Sequence, residues 1–516
     1  PFILFLFAAR RKLPEIANRQ SDVYALGAAL VFALLMIPYG FGRIDWNNLA
    51  RSGLVSALCW SAFVPALFWK AAQSAQRALL ALAIVCALAL PIGEPVLLSR
   101  LTSAIAQRIK TPPLRDAAKE GFPNIGLAHV TADHWARLSK LKQLLDAQLA
   151  PTEAYLDLTS RNAHYFYFNR LPPVPITAPF NMPHPDQQKR AVRILTASTP
   201  RVALFQADDI VGSLASLPIR NYYVYRFVMD AYLPRMEDRF ILGYSRQSGL
   251  LPPPESHILS AEIKDFTDDN WLNGISRNEP AVLLSDPVLV SMLQPGDSLR
   301  FADGKPRAVQ RVWPEGSAVW FDADDPAPVT PIQQRFVEIT VSPQVYQEYT
   351  ASLFQRAFGL PDLLKLPIAW GRSARTLQGR MTLVGELPSP FQTFHVSPMG
   401  DAYKVEGEDP QVSFDIAHFD VSGRQAGLLK FDFACRGQKA EPRLKVFWWG
   451  DGRGGAFEEA SLRFTAENGT LIAPLDVSPW WYVLEHVKGI RIDLDNPQAC
   501  EAFRLSNLGL YQRALD

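Results

Sequence analysis

LLKFDFAC at 428–435 and RLKVFWWG at 443–450 alternate apolar with polar side chains at a period of two. That is the pattern of strands that turn one face to a core. SFDIAHF (413–419), LRFTAENGTLIAPL (462–475), GIRIDL (489–494) and FRLSNLGLY (503–511) repeat it. Strands recurring at intervals of about 10–15 residues predict an antiparallel, jelly-roll-like sandwich over 412–516. Within it, Asn468-Gly469 reads first as a hairpin turn, although Asn468-Gly469-Thr470 also matches a glycosylation sequon.

Upstream of the sandwich the pattern changes three times. Residues 343–411 read as an amphipathic helix, Gln344 to Phe358, and a connecting segment that includes the turn Trp370-Gly371-Arg372-Ser373. Residues 251–342 begin at Pro252-Pro253-Pro254 and hold short apolar runs at Ile263–Phe266, Ala281–Leu284, Ser298–Phe301, Ala308–Trp313 and Ala318–Phe321, which predict a small β-barrel-like module. Residues 111–250 alternate helix and strand, which predicts an α/β domain. Its helices are placed at Asp133–Leu149, Asp186–Leu195 (with Asp186 as cap) and Tyr222–Tyr232, and its strands at Ala154–Leu158, Arg201–Phe205 and Arg239–Tyr244.

Residues 1–110 are of another kind. Val23–Gly42, Ser52–Trp69 and Ala78–Gly93 carry no charged side chain, and runs of this sort approach what a helix needs to cross a hydrocarbon core of about 30 Å. PFILFLFAA at the first residues reads as the tail of an earlier span, so further spans are expected upstream. Arg10, Arg11, Lys12 and Arg19, then Lys70 and Arg77, place the first and third connections in the cytoplasm, against Arg43 and Arg51 in the second. Everything after about Arg100 then faces the exterior. The expected fold class is therefore multidomain, with transmembrane helices followed by an exported α/β domain and β-rich modules. The mean hydropathy of −0.01 averages over these unlike parts.

With 52 Lys+Arg against 51 Asp+Glu the net charge is +1, which gives no support to a nucleic-acid partner. Cys59 and Cys86 fall in predicted spans. Cys435 and Cys500 remain, and in an oxidising compartment they either form one disulfide or stay as buried thiols. The eight histidines are scattered, without carboxylate or thiol partners at ligand spacing, so no metal site is expected. Asp268, Asp269, Asn270 and Asn273 crowd one turn, but their spacing is not that of an EF-hand loop.

LDLTSRNAHYFYFNRLPPVPITAPFNMPHPDQQKRAVRIL (156–195), PRVALFQADD (200–209) and YVYRFVMDAYLPRMEDRFILGYSR (223–246) come in an order that resembles the exterior region of bacterial GT-C membrane glycosyltransferases. The resemblance covers residues 110–250 and the preceding spans. It implies a multi-pass protein of the bacterial inner membrane that takes sugar from a polyprenyl-phosphate donor to an envelope glycan acceptor. It also implies a catalytic carboxylate in a first exterior loop upstream of Pro1, since Asp45 reads as an interfacial residue. No cofactor is identified, and a divalent metal is an option for the full-length enzyme.

Arginine grips phosphate bidentately, so Asn169, Arg170 and Arg226 are candidate contacts to the donor phosphate. The competing reading of Tyr165–Phe168 is an aromatic strand, with Arg170 capping a turn. Asp208 and Asp209 follow a predicted strand, where α/β sheets display functional carboxylates; the competing reading is an acidic solvated turn. The stretch from 266 to 313 resembles a barrel module of bacterial surface-polysaccharide proteins. The sandwich resembles galactose-binding-like carbohydrate-binding modules. An indole face covers the C–H side of a sugar ring, so Trp448, Trp449, Trp480 and Trp481 are candidate glycan contacts. Each adjacent pair is expected to present one inward and one outward ring, with Asp451, Arg453 and Asp476 as polar neighbours. The alternative function is a non-catalytic, membrane-anchored protein that binds or assembles surface polysaccharide.

Overall fold

The computed structural model describes residues 112–514 except 160–162, 177–181, 183, 207–216, 251–257, 265–280, 285, 302–303, 315–317, 323–334, 360–363, 366–380 and 452–456. The predicted spans, Asp208 and Asp209, the turn at Asp268–Asn273, Trp370–Ser373 and Arg453 lie outside the described residues. Among the described residues, no helix is long and apolar enough to cross a membrane. Arg115–Ala128 and Ala132–Asp516 form one compact unit.

After two short strands, β1 (Leu114–Asp116) and β2 (Leu127–His129), helix α1 (Ala132–Gln148) buries Trp135, Leu138, Leu141 and Leu145 along one stripe. A four-stranded sheet follows, in the order β3-β4-β6-β5. Here β3 (Leu156–Asp157) is parallel to β4 (Val202–Gln206), and β6 (Phe240–Ser245) is antiparallel both to β4 and to β5 (Tyr232–Glu237). Helices α2 (Ala163–Tyr167), α3 (Pro185–Ala197), α4 (Leu217–Arg220) and α5 (Tyr222–Ala231) complete this layer.

Three local readings of the sequence are corrected here. The aromatic run at 165–168 begins in a helix, α2, and not in a strand; His164 and Tyr165 are buried while Phe166 is exposed. The cap of α3 is His184, whose ring accepts from Asp186 N, with Pro185 at the first helical position. Strand β5 was not expected. Pro234 forbids its predecessor the helical region, so the aromatic helix stops at Ala231 and the chain extends.

The region 258–340 closes into a six-stranded barrel in the order β10-β11-β8-β7-β12-β9. Its strands are β7 (Ile258–Lys264), β8 (Ala281–Leu284), β9 (Ser298–Arg300), β10 (Pro306–Trp313), β11 (Ala318–Phe321) and β12 (Arg335–Thr340). Asp286 caps α6 (Pro287–Met292) by accepting from Val288 N and Leu289 N at 2.9 and 3.1 Å. Its other oxygen accepts from Tyr349 on α7 (Pro343–Phe358) at 2.5 Å, and burial pushes both the carboxyl and the phenol up. Phe354 and Phe358 of α7 pack on Phe205 of β4, with ring centroids 5.7 and 5.3 Å apart. One continuous apolar core therefore runs from Leu156 through the barrel and α7 to Val477 and Tyr482.

The sandwich has two sheets. One runs β13 (Leu364–Lys365), β21 (Ser461–Thr465), β20 (Arg443–Gly450), β23 (Val487–Leu494), β18 (Gln411–Asp415), β15 (Gln392–Phe394). The other runs β16 (Val396–Met399), β17 (Ala402–Val405), β24 (Ala502–Arg513), β19 (Leu428–Arg436), β22 (Gly469–Pro474), and β14 (Met381–Glu386) also pairs with β24. Five strands of the expected connecting segment, β13 to β17, thus pair within these two sheets. Strands β21 and β22 lie in opposite sheets, so Asn468-Gly469 is a corner between sheets and not a hairpin turn. Gly469 takes φ +126° there, and Asn468 Oδ1 accepts from Cys435 N at 2.6 Å. Cys435 and Cys500 are bonded, tying the end of β19 to the approach to β24 with their Cα atoms 5.5 Å apart.

Candidate functional site

Helices α3 and α5 lie side by side and present matching faces. Lys189, Val192, Arg193 and Thr196 on α3, and Tyr223, Arg226, Phe227 and Asp230 on α5, each follow the i, i+3, i+4, i+7 spacing of one helical face. Together with Asp186, Thr199, Ala231 and Gln247 they line a groove of about 890 Å³. Three cations and two carboxylates share this groove. Lys189 Nζ stands 5.1 Å over the ring of Tyr223. The Arg226 guanidinium lies 6.0 Å from the ring of Tyr222 and 5.7 Å from that of Tyr482. Burial opposes the Arg226 charge, but Tyr222, Tyr482 and Asp476 outweigh it and hold the group protonated.

The wall behind Arg226 is fixed by buried polar contacts from the sandwich. Asp476 accepts from Arg513 Nε at 3.0 Å and Nη2 at 2.7 Å, and from the Tyr222 hydroxyl. Tyr482 donates to Asp230 Oδ1 at 2.9 Å, and Arg424 approaches the same oxygen at 3.8 Å. Asp476 is therefore a buried anchor, 1% exposed, and not a polar neighbour of a bound glycan.

Of the predicted donor-phosphate contacts among the described residues, only Arg226 lines the groove. Arg170 is 5% exposed and closes the turn after α1, donating through Nη1 to Ala150 O and Glu153 O at 2.6 and 2.7 Å and through Nη2 to Asp146 Oδ1 at 2.9 Å. Its donors thus serve the fold. Although burial works against it, Lys142 and Arg170 hold the Asp146 carboxyl below its usual value. Asn169 sits in the left-handed region at φ +52° and accepts from Asn124 Nδ2 at 3.1 Å. Lys189 and Arg193 were missed. Their signal was available, since DQQKRAVRIL puts them four residues apart on a helix.

A second, smaller cavity of about 30 Å³ opens at the end of the sandwich. Trp448, Trp449, Asp451 and Trp480 line it with Phe457, Leu484 and residues of α7. Trp448 and Trp449 do point to opposite faces of β20: the first is fully buried and the second partly exposed. The second pair departs from the expectation. Trp480 and Trp481 lie on a short helix, α8 (Pro479–Tyr482), and both are buried. Pro479 at the first helical position starts that turn. Trp481 packs edge-on against Trp448 with centroids 5.6 Å apart, inside the sandwich core.

Among the described residues, no group of three His, Cys, Asp or Glu side chains is arranged to hold a metal ion. No protein-family model matches the chain, and no curated protein matches it. Among solved structures, Streptomyces albus HEPD with 2-hydroxyethylphosphonate and Fe(II) bound shares 10% identity over 50% of this chain and 76% of that one. Its TM-score of 0.06 carries no argument about fold or function.

Proposed function

We propose that this chain belongs to a membrane glycosyltransferase that takes sugar from a polyprenyl-phosphate donor to an envelope glycan. Residues 1–110 would cross the bacterial inner membrane, and the described unit would position substrate on the exterior side. The observation that carries this reading is the convergence of Lys189, Arg193 and Arg226 on one groove beside the rings of Tyr223 and Phe227. Cations on a partly apolar wall suit a phosphate joined to a sugar and a lipid chain.

The test is binding of polyprenyl monophosphate, against unphosphorylated polyprenol, by the full chain in lipid nanodiscs. Charge-assisted hydrogen bonds contribute about 1.5–3 kcal/mol each, so Arg193→Ala and Arg226→Ala should each weaken the phosphate ligand about tenfold or more. Equal affinity for both lipids, or a triple Ala variant at 189, 193 and 226 that binds normally, would overturn the reading. One observation favours the non-catalytic alternative: the groove carboxylate of Asp230 is engaged, by Tyr482 and Arg424. Turnover of a polyprenyl-phosphate sugar by a protein that also carries the expected upstream exterior loop separates the two.

A further inference from the structure

Three indoles cluster where α8 meets β20, and their N–H groups fare differently. Trp481 Nε1 donates to Gly423 O and Ala426 O, both at 2.9 Å. Among the described residues, the indole N–H groups of Trp448 and Trp480 meet no acceptor, although the side chains are buried to 0% and 4% exposure. Buried donors are nearly always paired, so two neighbouring exceptions call for a cause. Both residues line the small cavity between the sandwich and α7.

The walls narrow the ligand class. Trp448, Trp449, Trp480 and Phe457 are flat apolar surfaces, with Phe457 edge-on to Trp480 at 5.1 Å. A volume of about 30 Å³ admits roughly two water-sized groups and excludes a sugar ring. The entering group must therefore be small, partly apolar and rich in acceptor character. Asp451, which also lines the cavity, is ion-paired with Lys488, so the entering group is selected by its size, its apolar face and its acceptor. A hydroxyl alone leaves the aromatic walls without a partner, and a methyl alone leaves the donors without one.

We infer that the cavity between β20, α8 and α7 is a subsite for the acetyl group of an acetamido sugar, its carbonyl oxygen accepting from the Trp448 and Trp480 indoles. The methyl lies against the aromatic walls, and the sugar ring stays outside, beside the partly exposed Trp449. This rests on the proposed role in glycan transfer and names the acceptor class.

The experiment compares chitooligosaccharide with its de-N-acetylated counterpart, binding to the full chain in nanodiscs. The acetylated glycan should bind about tenfold more tightly. Trp480→Phe and Trp448→Phe keep an aromatic ring but lose the donor, and each should reduce that preference about three- to tenfold. Because either variant can also disturb the core, saturation-transfer NMR on the unaltered chain supplies a second readout, with the acetyl methyl expected to receive the strongest transfer. Equal affinities, or transfer confined to ring protons, overturn the inference. A chain that binds polyprenyl monophosphate in the groove yet ignores the acetyl group keeps the proposed function and loses the subsite; a chain that binds neither loses both.

Discussion

Replacing Arg513 by leucine removes one half of an ion pair whose two side chains are each 2% exposed. The guanidinium grips Asp476 through Nε and Nη2 and lies 4.2 Å over the ring of Tyr222. Once it is gone, the carboxylate keeps, among the described residues, only the Tyr222 hydroxyl as a side-chain donor, in a buried site. Breaking a buried pair from one side costs about 3–5 kcal/mol, because the remaining charge is stranded. Asp476→Leu strands the guanidinium instead and should cost a similar amount. The double variant strands neither, so it should lose less than either single and show a coupling of about 2 kcal/mol or more. Tyr222→Phe removes one hydrogen bond to a charged acceptor and should cost about 1.5–3 kcal/mol. The assay is urea unfolding in detergent micelles followed by tryptophan fluorescence. An Arg513→Leu loss under about 1 kcal/mol, or single losses that simply add, would refute the view that this pair is dry and mutually dependent.

Three other outcomes are expected. The Cys435–Cys500 bridge closes a sequence separation of 65 residues, and by chain entropy its removal in Cys500→Ser should lower stability by about 4 kcal/mol, read from unfolding with and without reductant. Burial pushes the Asp493 carboxyl up to about 7, while Arg491 pulls the other way; the folded state therefore holds its proton more tightly than the unfolded chain. Its contribution is most favourable below about pH 4 and is lost as pH rises to 7, so the stability of Asp493→Asn relative to the parent should climb across that window and stay level outside it. A Cβ at Gly489 would fall 1.9 Å from Cζ2 of Trp449, so Gly489→Ala should displace that indole, destabilise the sandwich by about 1–3 kcal/mol and weaken glycan binding measured by titration.

The strands that carry the sandwich core were legible because their alternation reports one buried face, as in β19 and β20. The edge strands β14 to β16 were not, since Leu383 and Phe394 are 46% and 48% exposed and no inner face imposes a period. The barrel could be read from turn residues between short apolar runs, although closure by β12 could not. At the candidate site, the sequence pointed to Arg226 by residue type and overlooked Lys189 and Arg193, whose meaning comes from α3 lying against α5. Asp476 was misjudged because its partner Tyr222 stands 254 residues away. No local pattern encodes such a contact. The tryptophan cavity was half legible: four of the named residues meet there, while the strand rule failed for a pair set on one helical turn.

The core shared by the α/β layer, the barrel and α7 has a consequence for biosynthesis. Leu156 and Tyr225 belong to the same apolar cluster as Val477 and Tyr482, so the first-made lobe stays incompletely covered until more than two hundred further residues have been synthesised. Long-range closure of this kind slows folding and leaves sticky surface exposed in the interval.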